Sequence, residues 1–593
     1  MAIHRSHVLI SGDPISLARG AEAIKAAFDA ELAFYGLNDE VAVAFTGDLR
    51  VAPTQMPAAI VYPEGVVYGP ITANDMPLIV SEHLYKGRIV DALLVATKPL
   101  TGAIVRVPAR EGALFAQQRV VLARAGIINP ESVEDYIAHD GYTALGKALT
   151  EMTPAQVVQE ITNSGVQGRG GAGFPVGMKL KLVAEATQVA AAQTQSRPSS
   201  AADSVRAGGL GDVVAAREAS NRPKYVLCNA DESEPGTFKD RLIIEGDPHS
   251  VLEGMMLAGY AIGAREGYIY IRGEYHLARE RLEKAIAQAH EMALLGEKIF
   301  GTDFSFDAHI HSGAGAYICG EETALIESLE GKRGEPRIRP PYPVTNGIWG
   351  NPTAVNNVES LANLPPLIRK GAAWYRTIGT AKCPGTKVYT MLGDVSVTGL
   401  IEVPMGTTLR TVIEVYGGGM RAGKRFKLAQ TGGASGSILD ASFLDVPMDF
   451  AELASRGGGL GSGALLICGE DTCVVDLAHV LLRFFAAESC GKCIPCRIGT
   501  TRAMEILERM SDARATMDDL AQLERIATNM QLASFCGLGQ AAAVPILTGL
   551  RFFRDEFIAH AQARQCPTGV CAMRGERVVV KRESVLKGMA VAA

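Results

Sequence analysis

The chain has 593 residues, and at roughly 100–200 residues per domain this length predicts three to five domains. Hydrophobic residues make up 47% and charged residues 21%, which is typical of a globular protein with several cores. The formal net charge of -6 argues against a binder of nucleic acid or of anionic membranes, because both need a basic surface. The sequence contains no signal-peptide pattern and no uninterrupted apolar span, so we expect a cytoplasmic protein without a membrane span.

The patterns of apolar residues divide the chain into four zones and a tail. Residues 1–104 predict a small α/β unit, and residues 105–375 alternate strand-like with helical segments, which predicts a parallel or mixed sheet covered by helices. A segment at about 187–221, rich in Ala, Ser, Gln and Gly, predicts a flexible surface insertion. Residues 376–470 are rich in glycine and strand-like runs, as in a small β-grasp-type domain, residues 471–565 predict a helical bundle, and residues 566–593 form a tail.

Cysteine is unevenly distributed. The first of 11 cysteines is Cys228, and nine fall from Cys383 to Cys571, both ends counted. An odd number gathered toward one end of a long chain indicates a local metal or cluster site rather than a disulfide framework.

Four of these cysteines have the spacing of an iron–sulfur site. A C-x-x-C-x-x-C run followed by a distant fourth cysteine is typical of a [4Fe–4S] cluster, and the candidate ligands are Cys490, Cys493, Cys496 and Cys536. A structural zinc site usually has two separated C-x-x-C pairs, and it remains open as an alternative, as do ordinary buried thiols. The other cysteines receive no role, and Cys566 and Cys571 are too few to hold a cluster.

A glycine-rich loop at residues 168–173 satisfies the pattern G-x-G-x-x-G. The residues before it predict a helix, whereas a dinucleotide-binding loop of the Rossmann type follows a strand. Exposed backbone N–H groups at Gly168, Gly170 and Gly171, with the charges of Arg169 and Lys179, nevertheless suit a phosphate. A plain tight turn remains the alternative.

Acidic and amide residues follow a strand-like run at residues 225–227. Ligands of open α/β sheets bind at the carboxyl ends of strands, and the Asn, Asp, Glu and Ser residues of segment 228–236 suit the hydroxyls of a ribityl or ribose chain. A solvated acidic turn is the alternative. Segment 313–323 again pairs glycines with carboxylates, and segment 352–357 adds two adjacent amides.

These motifs, in this order, resemble the NADH-binding flavoprotein subunit of respiratory complex I and its relatives in NAD-linked hydrogenases, formate dehydrogenases and flavin-based bifurcating complexes. The resemblance covers roughly residues 105–560. It implies an N-terminal thioredoxin-like domain, an α/β domain for FMN and NAD(H), a ubiquitin-like β-grasp domain and a C-terminal helical [4Fe–4S] bundle. The cofactor-binding residues that it implies are Gly168, Arg169, Gly170, Gly171, Phe174, Lys179, Asn229, Asp231, Glu232, Ser233, Tyr317, Gly320, Glu321, Asn356, Asn357 and, for the adenine, Tyr342.

The resemblance also implies the reaction. NADH and FMN would exchange a hydride beside Glu234 and Glu322, and single electrons would pass to the cluster and on to a partner subunit with a [2Fe–2S] or further [4Fe–4S] clusters. A non-catalytic scaffold derived from the same family is the rival hypothesis, against which the intact glycine, Asn and Cys sets argue. A zinc-dependent nucleic-acid binder is disfavoured by the net charge.

The sequence departs from the family pattern in two places. Residues 1–104 resemble the thioredoxin-like [2Fe–2S] domain of the hydrogenase relatives but contain no cysteine, which predicts a structural or docking domain without a cluster. Around the expected adenine site, Leu180 and Leu182 replace aromatic residues, and Arg339 and Tyr342 replace Lys and Phe. We therefore expect weaker or altered dinucleotide binding.

Overall fold

The computed structural model describes residues 6–97 (except 39, 48, 50 and 63), 117–195 and 222–574. The expected boundary near residue 104, residues 196–221 of the expected insertion and residues 575–593 of the tail lie outside this range. Three sheets separated by helices make a mixed α/β chain, as the sequence predicts. Over the described residues, we find no helix with the length and apolar character that crossing a bilayer requires.

The first sheet has the strand order β2-β1-β3-β4-β5. Strand β1 runs parallel to β2, and β3 runs antiparallel to both β1 and β4. Its strands are β1 (Ser6–Ser11), β2 (Val41–Thr46), β3 (Ala59–Tyr62), β4 (Val66–Tyr68) and β5 (Leu94–Thr97), and its helices are α1 (Pro14–Ala18), α2 (Ala21–Tyr35) and α3 (Met76–Leu78), which continues as a π-helical turn (Ile79–Tyr85). Ile24, Phe28 and Leu32 recur at helical spacing and bury one face of α2 in the core of this unit.

The second sheet has the order β8-β7-β6-β9, and all its strands are parallel. Its strands are β6 (Tyr225–Ala230), β7 (Glu266–Ile271), β8 (Asp307–Ser312) and β9 (Thr353–Asn357). The helices of this region are α4 (Val133–Ala138), α5 (Thr143–Glu151), α6 (Pro154–Ser164), α7 (Val176–Gln195), α8 (Lys239–Gly246), α9 (Pro248–Ile262), α10 (His276–Glu291), α11 (Glu322–Leu329), α12 (Pro343–Asn346), α13 (Val358–Ala362), α14 (Leu364–Lys370) and α15 (Ala372–Tyr375).

Helix α9 is the central helix of this region. Asp247 accepts a hydrogen bond from the N–H of Ser250 at 3.2 Å, and Pro248 occupies the first turn, where its missing N–H costs nothing. Gly263 ends the helix with a φ of +77°. All residues of α9 except Tyr260 are buried; most are apolar, and the carboxylate of Glu253 accepts hydrogen bonds from the Tyr136 hydroxyl and from the N–H groups of Tyr142 and Leu145.

The third sheet has the order β11-β10-β14-β12-β13. In chain order, its first strand (β10) pairs antiparallel with its second (β11) and parallel with its last (β14). The strands are β10 (Thr386–Gly393), β11 (Gly399–Pro404), β12 (Phe426–Thr431), β13 (Ile438–Leu439) and β14 (Ala464–Gly469), and the helices are α16 (Leu409–Thr411), with a π-helical turn (Val412–Tyr416), and α17 (Phe450–Ser455). The buried carboxylate of Glu402 on β11 accepts hydrogen bonds from the N–H groups of Val120, Val121 and Leu122, which fixes the described start of the second region on this sheet.

The last region is a bundle of helices, as its sequence predicts. It contains α18 (Val474–Glu488), α19 (Ile494–Ser511), α20 (Met517–Ala533), α21 (Gly537–Ala541), α22 (Val544–Phe552) and α23 (Arg554–Ile558), which continues as a π-helical turn (Ala559–Ala563). Thr516 and Asp519 form a capping box that starts α20. Leu507, Leu523 and Met530 from neighbouring helices meet in its core.

Candidate active site and metal centre

A cavity of about 320 Å³ opens beside the carboxyl ends of β6 and β9. Parallel pairing brings the two ends together, because Asn229 on β6 lies opposite Asn357 on β9. The sequence-predicted residues that line the cavity are Gly170, Asn229, Asp231, Glu232, Ser233, Glu234, Tyr317, Gly320, Glu321 and Asn357. The volume and the polar lining suit a small organic cofactor.

The glycine loop connects α6 to α7 and forms one wall of the cavity. The N–H of Gly168 donates to the carbonyl of Phe174 at 2.8 Å and closes the loop. A Cβ on Gly170 would lie 3.1 Å from the Cβ of Asn357, so only a glycine lets the backbone approach this closely without displacing the amide. Gly171, with a φ of +122°, completes the turn without lining the cavity.

The sequence suggests that Arg169 offers its charge to a phosphate, but the structure places its guanidinium elsewhere. Its side chain is fully buried, and its guanidinium donates to the carbonyls of Thr386 and Pro384, both at 2.9 Å, and of Gln167 at 3.0 Å. The charge of Arg169 is therefore not presented to the cavity, because its N–H groups join the glycine loop to the third sheet. Sequence spacing cannot reveal this contact, since the partners lie more than 200 residues away.

The cation of the cavity wall is Lys239, which the sequence patterns did not indicate. Its Nζ lies 2.6 Å from Oδ1 of Asp240, 3.0 Å from Oε2 of Glu359 and 3.3 Å from Oδ1 of Asn357. Burial lowers the pKa of Lys239, but Asp240 and Glu359 outweigh burial and hold it above its usual value. The signal available in the sequence was a lysine at the first residue of α8, three residues after the acidic segment 228–236. The N-termini of helices favour anions, so a lysine at this place could have indicated an anion site.

The acidic segment lies along the floor of the cavity. Asn229 donates through Nδ2 to the carbonyl of Gly320 at 2.8 Å, and Ser233 donates to the carboxylate of Asp231. Burial raises the pKa of Asp231 to about 7. Glu232 accepts from the N–H groups of Asp240 and Arg241 at 2.9 and 3.0 Å, and it thereby satisfies donors of the first turn of α8.

Glu234 and Tyr317 also line the cavity. The carboxylate of Glu234 accepts from the N–H of Ser435 at 2.6 Å, from the hydroxyl of Ser462 at 3.0 Å and from the hydroxyl of Tyr317 at 3.5 Å. Burial raises the pKa of Glu234 in spite of these donors. Ser462 and Thr237 also line the cavity, and neither was predicted.

A second group of predicted residues lies outside the cavity. Lys179 donates to the carbonyl of Val355 at 2.6 Å, and its Nζ lies 6.0 Å from the centre of the Phe174 ring. Burial lowers the pKa of Lys179, and the charge of Glu322 opposes that effect. Glu322 forms an ion pair with Arg339 at 3.0 Å.

Two further predicted residues lie outside the cavity. Tyr342 is 52% exposed and Phe174 is 47% exposed, so both rings are accessible to a ligand from solvent. Asn356 is buried on β9, and its Nδ2 has no hydrogen-bond partner. An unpaired buried amide is costly, so this nitrogen fits a site that a ligand completes.

The four predicted cluster ligands line one small enclosed cavity. Cys490 and Cys493 come from the loop between α18 and α19, Cys496 from the first turn of α19, and Cys536 from the residue before α21. Donors already face the sulfurs: the N–H of Phe535 lies 3.5 Å from the Cys493 sulfur, and the hydroxyl of Ser489 lies 3.3 Å from the Cys496 sulfur. Four unpaired thiols with amide and hydroxyl donors fit an iron–sulfur cluster.

The two cavities share a wall. Ile318 and Leu538 line both the cavity at the ends of β6 and β9 and the cavity of the four cysteines. Leu538 follows the cluster ligand Cys536 by two residues, and Ile318 follows Tyr317. One layer of apolar side chain therefore separates the two candidate cofactor sites at this point.

Known proteins are similar to the regions that contain these cavities. The Nuo51 FMN-binding domain family matches residues 209–366, and the iron-sulfur binding region of NADH-ubiquinone oxidoreductase F matches residues 476–560. The NADP-reducing hydrogenase subunit HndC of Solidesulfovibrio fructosivorans is 47% identical over 455 residues, which cover 77% of this chain and 86% of that protein. The NADH-quinone oxidoreductase F 2 subunit of Rhizobium meliloti (strain 1021) is 43% identical over 448 residues, which cover 76% of this chain and 99% of that protein.

A solved structure is similar over the whole chain. A crystal structure of NAD+-reducing [NiFe]-hydrogenase in the H2-reduced state superposes with a TM-score of 0.61 at 29% identity, over 100% of this chain and 88% of that chain.

Fold, site and relatives together define an oxidoreductase subunit of the NADH dehydrogenase type. More particularly, the chain belongs to the family of NADH-quinone oxidoreductase F subunits. It is an electron-input subunit that works with NAD(H), FMN and a [4Fe–4S] cluster, and these predictions from the sequence are confirmed.

Proposed function

We propose that the chain binds FMN in the cavity at the ends of β6 and β9 and passes electrons, one at a time, through the four-cysteine site to a partner subunit. FMN, when bound, accepts a hydride from NADH and releases single electrons. The observation that carries the proposal is the wall shared by the two cavities through Ile318 and Leu538. It is apolar, so no charged group stands between donor and acceptor at this point.

The cavity offers groups that suit the phosphate and the ribityl chain of the flavin. Backbone N–H groups of the glycine loop and the cation of Lys239 suit the phosphate, since both stabilise an anion. Asn229, Asp231 and Asn357 supply donors and acceptors for the ribityl hydroxyls. Gly170 permits the close approach between loop and ligand.

Glu234 and Glu322 keep different roles in the proposal. The buried carboxyl of Glu234, with its raised pKa, lies in the cavity and adjusts the charge beside the isoalloxazine ring. Glu322, paired with Arg339, lies on the side of Lys179 and Phe174. Its place favours a contact with the dinucleotide rather than with the flavin.

The dinucleotide would lie across the exposed rings of Phe174 and Tyr342. Helix α12 begins directly after Tyr342 and packs against α7, which carries Lys179 and the 41% exposed Leu182. An adenine stacked on Tyr342 would therefore meet an aliphatic side chain of α7 where the family pattern has an aromatic one. This arrangement supports binding that is weaker than in relatives with two rings.

The remaining domain assignments are supported by strand order. In the third sheet, the first strand pairs parallel with the last and antiparallel with the second, which is the arrangement of a ubiquitin-like β-grasp domain. In the first sheet, a parallel β-α-β unit is extended by an antiparallel hairpin, as in a thioredoxin-like domain. Without cysteine before Cys228, this N-terminal unit would serve a structural or docking role.

The surface over the cluster supports a partner at that place. Ile494 and Phe535, which are 67% and 38% exposed, flank Cys493 and Cys536. Exposed apolar residues beside a redox centre suit the docking of a subunit with a [2Fe–2S] or further [4Fe–4S] clusters. A chain with 11 unpaired cysteines suits the reducing cytoplasm.

The absorption spectrum of the purified chain tests the proposal. Flavin bands with a broad iron–sulfur shoulder, both of which bleach when NADH is added, are the expected result. A Cys490→Ser variant should keep the flavin bands and lose the shoulder, whereas Cys383→Ser, the same change at a buried cysteine that lines neither cavity, should keep both. If neither the flavin bands nor the iron–sulfur shoulder bleached when NADH is added, the scaffold hypothesis would be favoured.

A further inference from the structure

Four side chains outside both cavities converge on one point. The ligand atoms of Cys473, His560, Cys566 and Cys571 all lie within 4.8 Å of one another. In the part of the chain that the structure describes, this is the one group of three or more Cys, His, Asp or Glu residues so close together. Sequence spacing gives these cysteines no role, because the group joins residues up to 98 positions apart.

The distances within the group are those of a tetrahedral metal site. The Cys473 sulfur lies 3.5 Å from Nε2 of His560 and 3.6 Å from the Cys571 sulfur. Zinc bonds of about 2.3 Å to sulfur and about 2.0 Å to nitrogen, in a tetrahedron, place two sulfurs about 3.8 Å apart and a sulfur and a nitrogen about 3.6 Å apart. A disulfide would need about 2.05 Å between the sulfurs.

The imidazole has the tautomer that a metal ligand requires. Nδ1 of His560 lies 2.7 Å from the backbone carbonyl of Glu556, and a carbonyl can only accept, so Nδ1 carries the proton. Nε2 is then left with its lone pair directed at the sulfurs. Zinc-binding histidines are commonly held by a backbone carbonyl in this way, which fixes the orientation of the ring.

The backbone around the thiols supports ligands rather than ordinary buried cysteines. Cys473 directly precedes α18, where the N-terminal end of the helix stabilises a thiolate. Cys566 and Cys571 flank a turn with Gly569 at a φ of +72°, and the N–H of Cys571 donates to the Cys566 sulfur at 3.5 Å. A short loop between two cysteines, with an N–H directed at sulfur, is typical of a structural zinc site.

We propose that Cys473, His560, Cys566 and Cys571 bind one structural zinc ion. Three thiolates and one imidazole fill all four positions of a tetrahedral site, which leaves no open position for catalysis. A second iron–sulfur cluster is disfavoured, because the thiolates of a cubane bind different irons and stand further apart than ligands of a single ion.

The ion would fasten the end of the described chain to the helix that leads into the cluster. Helix α18 runs from Val474 to Glu488, directly before the cluster loop. The other three ligands follow α23, in the π-helical turn and in the segment after it. Zinc would therefore fix residues 564–571 against the start of α18.

Metal analysis of the full-length purified protein, dialysed against a mild chelator, tests the site. We expect one zinc per chain beside four irons. Cys571→Ser and Cys566→Ser should lose the zinc and keep the iron, Cys490→Ser should lose the iron and keep the zinc, and Cys383→Ser should keep both. Less than half an equivalent of zinc in the wild type, iron at the second site, or zinc that persists in both variants would each overturn the proposal.

A pair of changes at the histidine guards against a variant that fails to fold. His560→Cys supplies a fourth thiolate and should retain zinc, whereas His560→Ala should lose it. Arg564 is already exposed, and loss of zinc should loosen the segment around it, so we expect faster tryptic cleavage there in Cys571→Ser than in Cys383→Ser. Equal zinc content and equal cleavage in all these variants would show that the four residues bind no ion.

Discussion

Gly170 and Asn357 approach each other so closely that a Cβ on the glycine would lie 3.1 Å from the Cβ of the asparagine. The side chain of Asn357 is itself held by Asp240, whose Oδ2 accepts from Nδ2 at 2.6 Å, and by Lys239. The glycine loop, the amide and the cation therefore form one connected wall, and a change in the loop is transmitted to the groups that line the cavity.

Gly170→Ala should weaken FMN binding by roughly fivefold to a hundredfold, because Asn357 must give way and its contact with Asp240 is strained. Crowding of this kind costs about 1–3 kcal/mol. Fluorescence titration of the flavin-free protein measures the affinity. Gly146→Ala is the matched control, since Gly146 lies within α5 with nothing within 4 Å, and alanine there should leave FMN affinity unchanged and stabilise the helix by about 1 kcal/mol. Equal FMN affinities in the two variants would contradict the role of the loop.

Cys536→Ser should separate the two cofactors. Serine is a harder ligand that does not replace a thiolate on iron, so the iron–sulfur absorption should fall while the flavin remains and still bleaches with NADH. Transfer of single electrons to a partner subunit should fall at least tenfold. Iron analysis measures the first effect, and the rate at which NADH reduces the clusters of a co-purified partner subunit measures the second. Unchanged electron transfer in a variant without cluster would exclude the route through the shared wall.

Leu182→Phe should strengthen NADH binding. A ring at this exposed position on α7 supplies the second face for the adenine, and aromatic stacking contributes about 0.5–1.5 kcal/mol, which is roughly two- to tenfold in affinity. Leu532→Phe, at a leucine that is 79% exposed on α20, controls for the added surface. An NADH affinity that is the same in both variants would contradict the proposed adenine position.

The stability of the flavin-free protein should depend on pH through Asp231. Burial raises the pKa of Asp231 to about 7 in the folded chain, from an ordinary value of 3.8. The folded state therefore favours the protonated carboxyl of Asp231. The contribution of that carboxyl to the free energy of unfolding is fully present below a pH of about 4 and is lost as the pH rises through about 7. Asp231→Asn carries no charge, and its melting temperature relative to wild type should be higher at pH 8 than at pH 5. A constant difference between these pH values would refute the raised pKa.

Local sequence patterns predicted the elements whose signals are contiguous. The bounds of α9 follow from Pro248 and Gly263, and three of the four candidate cluster ligands follow from the spacing of Cys490, Cys493 and Cys496, because each signal is complete within one or a few turns of chain. The positions of Lys239 and Arg169 could not be predicted in the same way. Both are determined by partners far along the chain, Glu359 for the lysine and Thr386 for the arginine. The convergence of Cys473 with Cys571 has the same cause.

The buried guanidinium of Arg169 has a consequence for where the chain can be divided. Its acceptors Thr386 and Pro384 belong to the third sheet and the segment leading into it, whereas the glycine loop belongs to the flavin region. A fragment that ends near residue 375 would lose both acceptors, and it would expose to water the part of the core that Val388 and Leu400 complete. The flavin region therefore cannot be transferred alone: grafting it into another protein requires the third sheet as well.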